Sequence, residues 1–143
     1  MSARQFLYLS HATREMSTAD LRELLIESRE LNRDHGITGL LIYVGRHFMQ
    51  CIEGKDEEIG QLVRNISADA RNESFTRLLD REVAERAFPA WSMGFHAPSI
   101  PELQSEPGFA DLQVPLALES LEHRDAALMA LMKNFYSANA PRL

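Results

Sequence analysis

The most informative residues of this 143-residue chain are polar side chains at positions where periodicity predicts apolar ones. Side chains alternate along a strand, so the amide of Gln50 in the run HFMQCIE lies between apolar neighbours on one face. Tyr8, in the run FLYLS, shares its face with Phe6 and Ser10. An unpaired buried amide costs about 1 to 3 kcal/mol. Gln50, and the Tyr8 hydroxyl if buried, therefore need a partner from the protein, an ordered water or a bound ligand.

Two helical patterns add further polar groups. Ser28 and Asn32 continue the apolar stripe of the first helix, and Ile66 and Asp69 lie at the end of the second. If both helices cover one sheet face, these residues line a slot that suits a flat ligand with carbonyl and ring-nitrogen edges. Taken singly, each polar residue has a simpler explanation, because a buried amide or phenol, or a helix-end Asn, often bonds nearby backbone.

The elements that would position these residues follow the order β-α-β-β-α-β-β. Strands are predicted over five apolar or alternating runs, residues 6–10, 38–44, 47–53, 76–85 and 91–96. One helix begins at Ser17 or Thr18 and stops at Gly36, and a second follows Asp56, which could cap it. This order predicts an α+β, ferredoxin-like fold with a mixed five-stranded sheet and both helices on one face.

The tail is predicted to cover the other face of the sheet. Residues 97–115 have a loop composition, and residues 119–137 show apolar side chains at helical spacing, which indicates one or two C-terminal helices. We therefore expect a domain over residues 1–96 and a helical extension over residues 97–143. Apolar residues on two faces of the last helix predict a homo-oligomer, with Leu128, Met132 and Phe135 on one face and Met129 and Tyr136 on the other.

Composition disfavours several other classes of protein. The net charge of -6 disfavours nucleic-acid binding, and no apolar run approaches the roughly 20 residues of a membrane helix. The single cysteine, Cys51, cannot form an internal disulfide and is expected to be a small buried hydrophobe, which favours a cytoplasmic protein. No metal is expected, because the five histidines lack ligand spacing, and no dinucleotide or phosphate-binding glycine motif occurs.

Five segments, taken in order, resemble the BLUF family, which comprises blue-light sensors that use FAD. They are FLYLS with Tyr8, LNRDHGITGLLIY with Asn32, HFMQCIEG with Gln50, ISADARN with Asp69 and Arg71, and FPAWSMGF with Trp91 and Met93. The resemblance runs from residue 4 to about residue 96. It departs from some relatives at Leu31, where they carry a polar residue.

The resemblance implies a flavin, FAD with FMN as the alternative, inserted between the two helices above the sheet. Asn32 would hydrogen-bond its pyrimidine edge, and Gln50 would bridge Tyr8 and the flavin. The remaining implied contacts are polar support from Ser28, Asp69 and Arg71, and packing from Leu41, Phe48 and Ile66.

The resemblance also implies a light sensor that consumes no substrate, and so is not an enzyme. Tyr8 would give up an electron and then a proton, and Gln50 would relay that proton and remain rotated or tautomerised. Trp91 or Met93 would pass the change along the last strand to the C-terminal helices and an unidentified downstream protein. The residues alone leave two alternatives, a small ferredoxin-like enzyme and a ligand-binding or interaction module that does not respond to light.

Overall fold

The computed structural model describes residues 3–88, 94–96 and 125–139 of the chain. Its strands are β1 (Ala3–Ala12), β2 (Thr38–Val44), β3 (His47–Gly54), β4 (Asn72–Val83) and β5 (Gly94–His96). Its helices are α1 (Thr18–His35), α2 (Asp56–Ser67) and α3 (Ala126–Asn139). The strand order is β4-β1-β3-β2-β5, with β5 parallel to β2 and the other pairs antiparallel. The predicted α+β fold is confirmed.

Helix α1 has the boundaries that its capping residues predict. The Ser17 hydroxyl accepts a hydrogen bond from the Asp20 amide, and the Asp20 carboxylate accepts one from the Ser17 amide, which completes a capping box. Gly36 ends the helix with φ 66°, a left-handed conformation that glycine adopts without steric cost. The buried side of α1 carries Leu21, Leu25 and Asn32, so the predicted stripe with a polar end is confirmed.

Helix α2 begins as expected but is capped differently. Lys55 is the N-cap residue and provides no side-chain cap, so the expectation that Asp56 caps the helix is wrong. The Asp56 carboxylate instead accepts a hydrogen bond from Arg4 at 3.2 Å. The predicted apolar stripe faces the sheet, where Ile59 is buried and three further side chains are packed against the core, Leu62, Val63 and Ile66.

The β2–β3 hairpin sets the centre of the sheet. Gly45 and Arg46 form its two-residue turn with φ 57° and 68°, the left-handed pair that fits the twist of a hairpin. Gly39 lies against β3 so closely that a Cβ atom there would collide with the backbone oxygen of Cys51. The two strands therefore pair in one register, which places Leu41 opposite Gln50.

Strand β4 begins at Asn72, four residues before the predicted start at Thr76. The stretch from 72 to 75 contains polar turn-forming residues, so its pattern does not indicate a strand. It is drawn into the sheet by backbone pairing with β1, where His11 pairs with Glu73 and Ala12 with Asn72. Two register shifts in the β1–β4 ladder accommodate the extra residues.

The sheet separates two apolar cores. Helices α1 and α2 cover the face that carries Phe6, Tyr8 and Phe48, and α3 covers the opposite face. Three side chains of α3 are buried there, Leu128, Met132 and Phe135, as predicted for a covering C-terminal helix. None of the helices in the described residues combines the length and apolar character that a membrane crossing requires. Trp91, Met93 and the expected loop over residues 97–115 lie outside the described residues.

Candidate functional site

A slot opens between α1 and α2 above the sheet. It has a cavity volume of about 120 Å³ and is partly open to solvent. The structure places around it the predicted photochemical residue Tyr8 and all eight predicted flavin contacts: Ser28, Asn32, Leu41, Phe48, Gln50, Ile66, Asp69 and Arg71. These residues come from β1, α1, β2, β3, α2 and the loop after α2. Both helices and three strands of the sheet therefore contribute to the slot.

Tyr8 and Gln50 form a buried hydrogen-bonded pair in the floor of the slot. They are register partners on β1 and β3, and the Tyr8 hydroxyl donates to the amide oxygen Oε1 of Gln50. Both side chains are at most 5% exposed. Burial raises the pKa of the Tyr8 phenol, and the charge of Asp69 raises it further. The phenol is therefore protonated at neutral pH and holds its donor towards Gln50.

Asn32 lies at the end of α1 with its side chain in the slot. Its backbone oxygen accepts the amides of Gly36 and, at 2.8 Å, Ile37, which fixes the last turn of the helix. The residue is 1% exposed, and its side chain is the buried polar group of α1. The helix end thus positions an amide, a group with both a donor and an acceptor, inside the slot.

An ion-pair cluster bridges the two sides of the slot beside α1. The guanidinium of Arg71 donates to both oxygens of Asp69, at 2.7 Å for the shortest contact, and to Glu27 of α1 at 3.1 Å. The hydrogen bond from Arg71 lowers the pKa of the Asp69 carboxyl, and that carboxylate raises the pKa of Arg71. Both groups are therefore charged at neutral pH, and together they connect the loop after α2 to α1.

Seven further residues line the slot without having been predicted as site residues: Ser10, Leu24, Glu27, Leu31, Leu62, Asn65 and Asn72. Alternation along β1 was the available signal for Ser10, which lies two residues after Tyr8. Helical spacing was the signal for Leu24 and Leu31, which lie four residues before and three after Ser28. Glu27 and Asn72 had no local signal, because only the packing of α1 on the loop after α2 brings them to the slot.

A second polar cluster lies on the opposite face of the sheet, around the fully buried carboxylate of Glu53. Its oxygens accept the backbone amides of Ala87 and Phe88 at 2.8 and 2.9 Å. They also accept the side-chain amide of Gln5 at 2.9 Å. Glu53 therefore holds residues 87 and 88, which follow β4, against the central strand β3.

This cluster extends to the N-terminus of α3. The Gln5 side-chain oxygen accepts Arg81 at 2.9 Å, and Arg81 in turn donates to Asp125. Asp125 also accepts the backbone amide of Leu128 at 3.1 Å, as an N-cap residue does. We call the set Gln5, Glu53, Arg81 and Asp125 the back-face network. It joins β1, β3, β4 and α3 on the face away from the slot.

Replacing Glu53 with alanine is expected to destabilise the fold strongly. Three buried donors would lose their acceptor at about 1 to 3 kcal/mol each, so the free energy of unfolding should fall by about 3 kcal/mol or more. Urea unfolding of the purified chain measures this change. The matched control is Glu30→Ala at an exposed position of α1, which should change stability by less than about 0.5 kcal/mol. Equal stabilities of the two variants would contradict the prediction.

Two sequence-based expectations concern reactive groups outside the slot. Cys51 is fully buried in the core under α3, and burial raises the pKa of its thiol, so the prediction of a small buried hydrophobe is confirmed. Within the described ranges, no three His, Cys, Asp or Glu side chains come together in a way that could hold a metal ion.

The slot suits a flat heteroaromatic ring. Its lining combines apolar side chains with amide, hydroxyl and charged groups, which come from both helices and from the sheet. One of them, the hydroxyl oxygen of Ser10, is buried and has no hydrogen-bond partner within the described residues. A buried unpaired hydroxyl is unfavourable, so a ligand or an ordered water is expected to pair with it. The donors and acceptors present therefore fit a ring with carbonyl and ring-nitrogen edges, such as a flavin.

Comparisons with known proteins agree with this chemistry. The chain is 34% identical over 87 residues to the photoactivated adenylate cyclase subunit beta of Euglena longa. It is 28% identical over 82 residues to the blue light- and temperature-regulated antirepressor BluF of Escherichia coli (strain K12). These matches cover 60% and 57% of this chain but 10% and 20% of the two relatives. The chain thus spans a small part of the length of these relatives.

A solved structure and a family model extend over more of the chain. The dark-state structure of the BLUF protein BlrB superposes with a TM-score of 0.68 at 30% identity. That superposition covers 92% of this chain and 95% of BlrB. The model of the family described as sensors of blue light using FAD matches residues 4–94, which is more than half of the chain. The chain therefore belongs to the BLUF family of flavin-binding blue-light sensors, whose cofactor is FAD.

Proposed function

We propose that this chain responds to blue light through the hydrogen bond between Tyr8 and Gln50, with FAD held in the slot between α1 and α2. The observation that carries the proposal is the donation from the Tyr8 hydroxyl to Gln50 Oε1 in the floor of the slot. A phenol is an oxidisable group, and an amide can exchange its donor and acceptor ends. Side by side in a buried site, they form a hydrogen-bond switch.

The residues around the slot divide into polar contacts and packing contacts for the flavin. We assign hydrogen bonds to the amides of Asn32 and Gln50, with Ser28, Asp69 and Arg71 as supporting contacts. The apolar side chains that would pack on or near the ring are Leu41, Phe48 and Ile66. FMN carries the same ring, so the same residues would contact the ring in either cofactor.

Bound flavin would supply absorption of blue light and an excited state that accepts an electron. Tyr8 would give up that electron and then its hydroxyl proton, and Gln50, whose amide oxygen accepts the Tyr8 hydrogen bond, would relay that proton towards the flavin. The buried setting supports this assignment, because the raised pKa of the phenol keeps the proton on Tyr8 in the dark. When electron and proton return to Tyr8, the Gln50 amide would remain rotated or tautomerised, and no substrate would be consumed.

Reversal of the Gln50 amide would change which neighbouring groups have a hydrogen-bond partner. In the structure its oxygen accepts the hydrogen bond of the Tyr8 hydroxyl, and after reversal its donor end would face that hydroxyl. An unsatisfied buried group costs free energy, so the neighbours rearrange to pair with the new orientation. A single amide thereby gives the site two distinct hydrogen-bonded states.

The signal is proposed to leave through the last strand and the C-terminal helical extension. Leu41 lines the slot on β2 and is the register partner of Phe95 on the adjacent β5, which supports a route from the slot to β5. Trp91 or Met93, just before β5, would relay the change. The flavin-binding domain would then span residues 1–96, and the extension over residues 97–143 would pass the signal to a downstream protein.

Self-association through the C-terminal helix remains part of the proposal. Leu128, Met132 and Phe135 are packed on the sheet, and Met129 is half-buried in the same core. The apolar surface left for a second copy is therefore narrower than the sequence alone suggested. The cytoplasmic location also remains a prediction.

The absorption difference between lit and dark protein tests the proposed function. The purified chain, loaded with FAD, is expected to show a flavin spectrum that shifts to the red under blue light and returns in the dark. Free FAD under the same illumination is the control and should not shift. A chain that stays colourless after incubation with FAD, or a bound flavin with no light-induced shift, would contradict the proposal.

Replacing Asn32 with alanine is expected to weaken FAD binding. The substitution removes one hydrogen-bonding amide from the slot, so the affinity should fall about fivefold or more, equivalent to roughly 1 kcal/mol. Titration with FAD measures the change. Asn134→Ala, at an exposed position of α3, is the matched control and should bind FAD as the wild type does. Unchanged affinity in the Asn32 variant would remove this residue from the binding site.

A further inference from the structure

The hydroxyl of Ser10 is the unexplained polar group of the slot. Its oxygen is buried and finds no hydrogen-bond partner in the described part of the chain. The residue is 5% exposed, lines the slot, and lies two positions after Tyr8 on the same face of β1. Native proteins pair almost all such groups with protein, ordered water or ligand. The Ser10 hydroxyl therefore has a hydrogen-bonding capacity that an ordered water or a ligand would have to satisfy.

Two polar residues near the loop after α2, Arg71 and Asn72, line the slot but bond to partners other than Ser10. Arg71 donates to Asp69 and Glu27. The side-chain amide of Asn72 donates to the backbone oxygens of Ile66 and Asp69, both at 3.2 Å. These contacts hold the loop in place and provide no hydrogen bond to the Ser10 hydroxyl.

The strand beside Ser10 is bulged at this position. Leu9 pairs with Thr76 and His11 with Glu73, so two residues of β4 oppose Ser10. One is Ser74, whose φ is 54°. The other is Phe75, whose ring stacks on Tyr8 with centroids 4.7 Å apart. A bulge interrupts pairing and re-aims side chains, and here it turns an aromatic ring towards the photoactive tyrosine and provides no partner for Ser10.

We propose that Ser10 is a ligand-binding residue of the slot, whose hydroxyl hydrogen-bonds a carbonyl or ring nitrogen on the edge of the bound flavin. The inference rests on the proposed function, because it takes the occupant of the slot to be a flavin. A hydroxyl can donate or accept and so can serve either kind of edge atom. Ser10 is also the register partner of Phe48, which lines the slot too, beside the pair formed by Tyr8 and Gln50.

The substitution Ser10→Ala separates binding from folding. The full chain is titrated with FAD, and the variant is expected to bind at least about fivefold more weakly than the wild type. Urea unfolding of the same chain without FAD should show an unchanged or higher midpoint, because the substitution removes a buried hydroxyl that has no partner. Ser10→Cys, which keeps the volume but has only a weak donor, should lose affinity in the same direction.

The control is Ser67→Ala, at an exposed position at the end of α2 outside the slot lining, which should bind FAD as the wild type does. Wild-type affinity in Ser10→Ala would overturn the assignment and indicate that a water satisfies the hydroxyl. A parallel loss of affinity and of flavin-free stability would also overturn it, in favour of a purely structural role. A wild-type chain that binds no FAD would overturn the proposed function together with this inference, whereas the first two outcomes leave the proposed function intact.

Discussion

Replacing Tyr8 with phenylalanine is expected to abolish the light-induced red shift while FAD remains bound. The variant lacks the hydroxyl that donates to Gln50 Oε1, and with it the proton that the proposed switch moves. The ring itself stays in place, because Phe75 stacks on it at 4.7 Å and Phe6 packs beside it at 6.3 Å between centroids. Flavin binding should therefore persist, since the walls of the slot are unchanged.

A lit-minus-dark absorption spectrum of the FAD-loaded variant measures this effect. Tyr43→Phe is the matched control, because Tyr43 is a buried tyrosine in the same core that does not line the slot. Its hydroxyl accepts the backbone amide of Met16 at 3.2 Å, so the control also loses one buried hydrogen bond. The control should keep the shift. A normal photocycle in Tyr8→Phe would refute the assignment of Tyr8.

Replacing Gln50 with leucine is expected to remove the light-induced red shift as completely as Tyr8→Phe does. Leucine cannot accept the Tyr8 hydrogen bond and has no donor and acceptor ends to exchange, so no second hydrogen-bonded state exists. Its side chain is close in size and suits the apolar neighbours on that face of β3, which should preserve the fold and the bound flavin.

The same spectrum tests this second variant, with Gln61→Leu at an exposed position of α2 as the control. This control also replaces glutamine with leucine, but outside the slot lining, and its absorption should shift as that of the wild type does. Persistence of the usual red shift in Gln50→Leu would exclude this amide from the switch. Loss of the shift in both slot variants, with FAD bound in each, would identify the hydrogen-bonded pair as the origin of the response.

Both effects depend on a contact between residues 42 positions apart in the chain. Alternation along each strand indicated that Tyr8 and Gln50 lie on apolar faces, but it did not indicate that they meet. Their meeting requires β1 and β3 to be antiparallel neighbours in the register that pairs residue 8 with residue 50. A slip of one strand by one residue would turn its side chains over and place Tyr8 and Gln50 on opposite faces of the sheet.

The elements themselves were largely determined by the sequence. Period-two and helical patterns, with Ser17, Gly36 and the Gly45–Arg46 turn as boundaries, predicted the order of strands and helices that the structure contains. The same patterns predicted the slot and six of its residues, Tyr8, Ser28, Asn32, Gln50, Ile66 and Asp69, while Leu41, Phe48 and Arg71 entered through the family resemblance. Local patterns carry this information because side-chain direction repeats with the backbone of each element.

Only the tertiary structure decided which groups touch across elements. It placed Glu27 on Arg71, drew the polar start of β4 into the sheet, left the Ser10 hydroxyl without a partner in the described residues, and joined Glu53 to Gln5 in the back-face network. Each of these contacts pairs groups far apart in the chain, and their energy depends on burial and on register. A repeating pattern within one element determines that element's own conformation and faces, whereas long-range polar pairing is determined by how the faces pack.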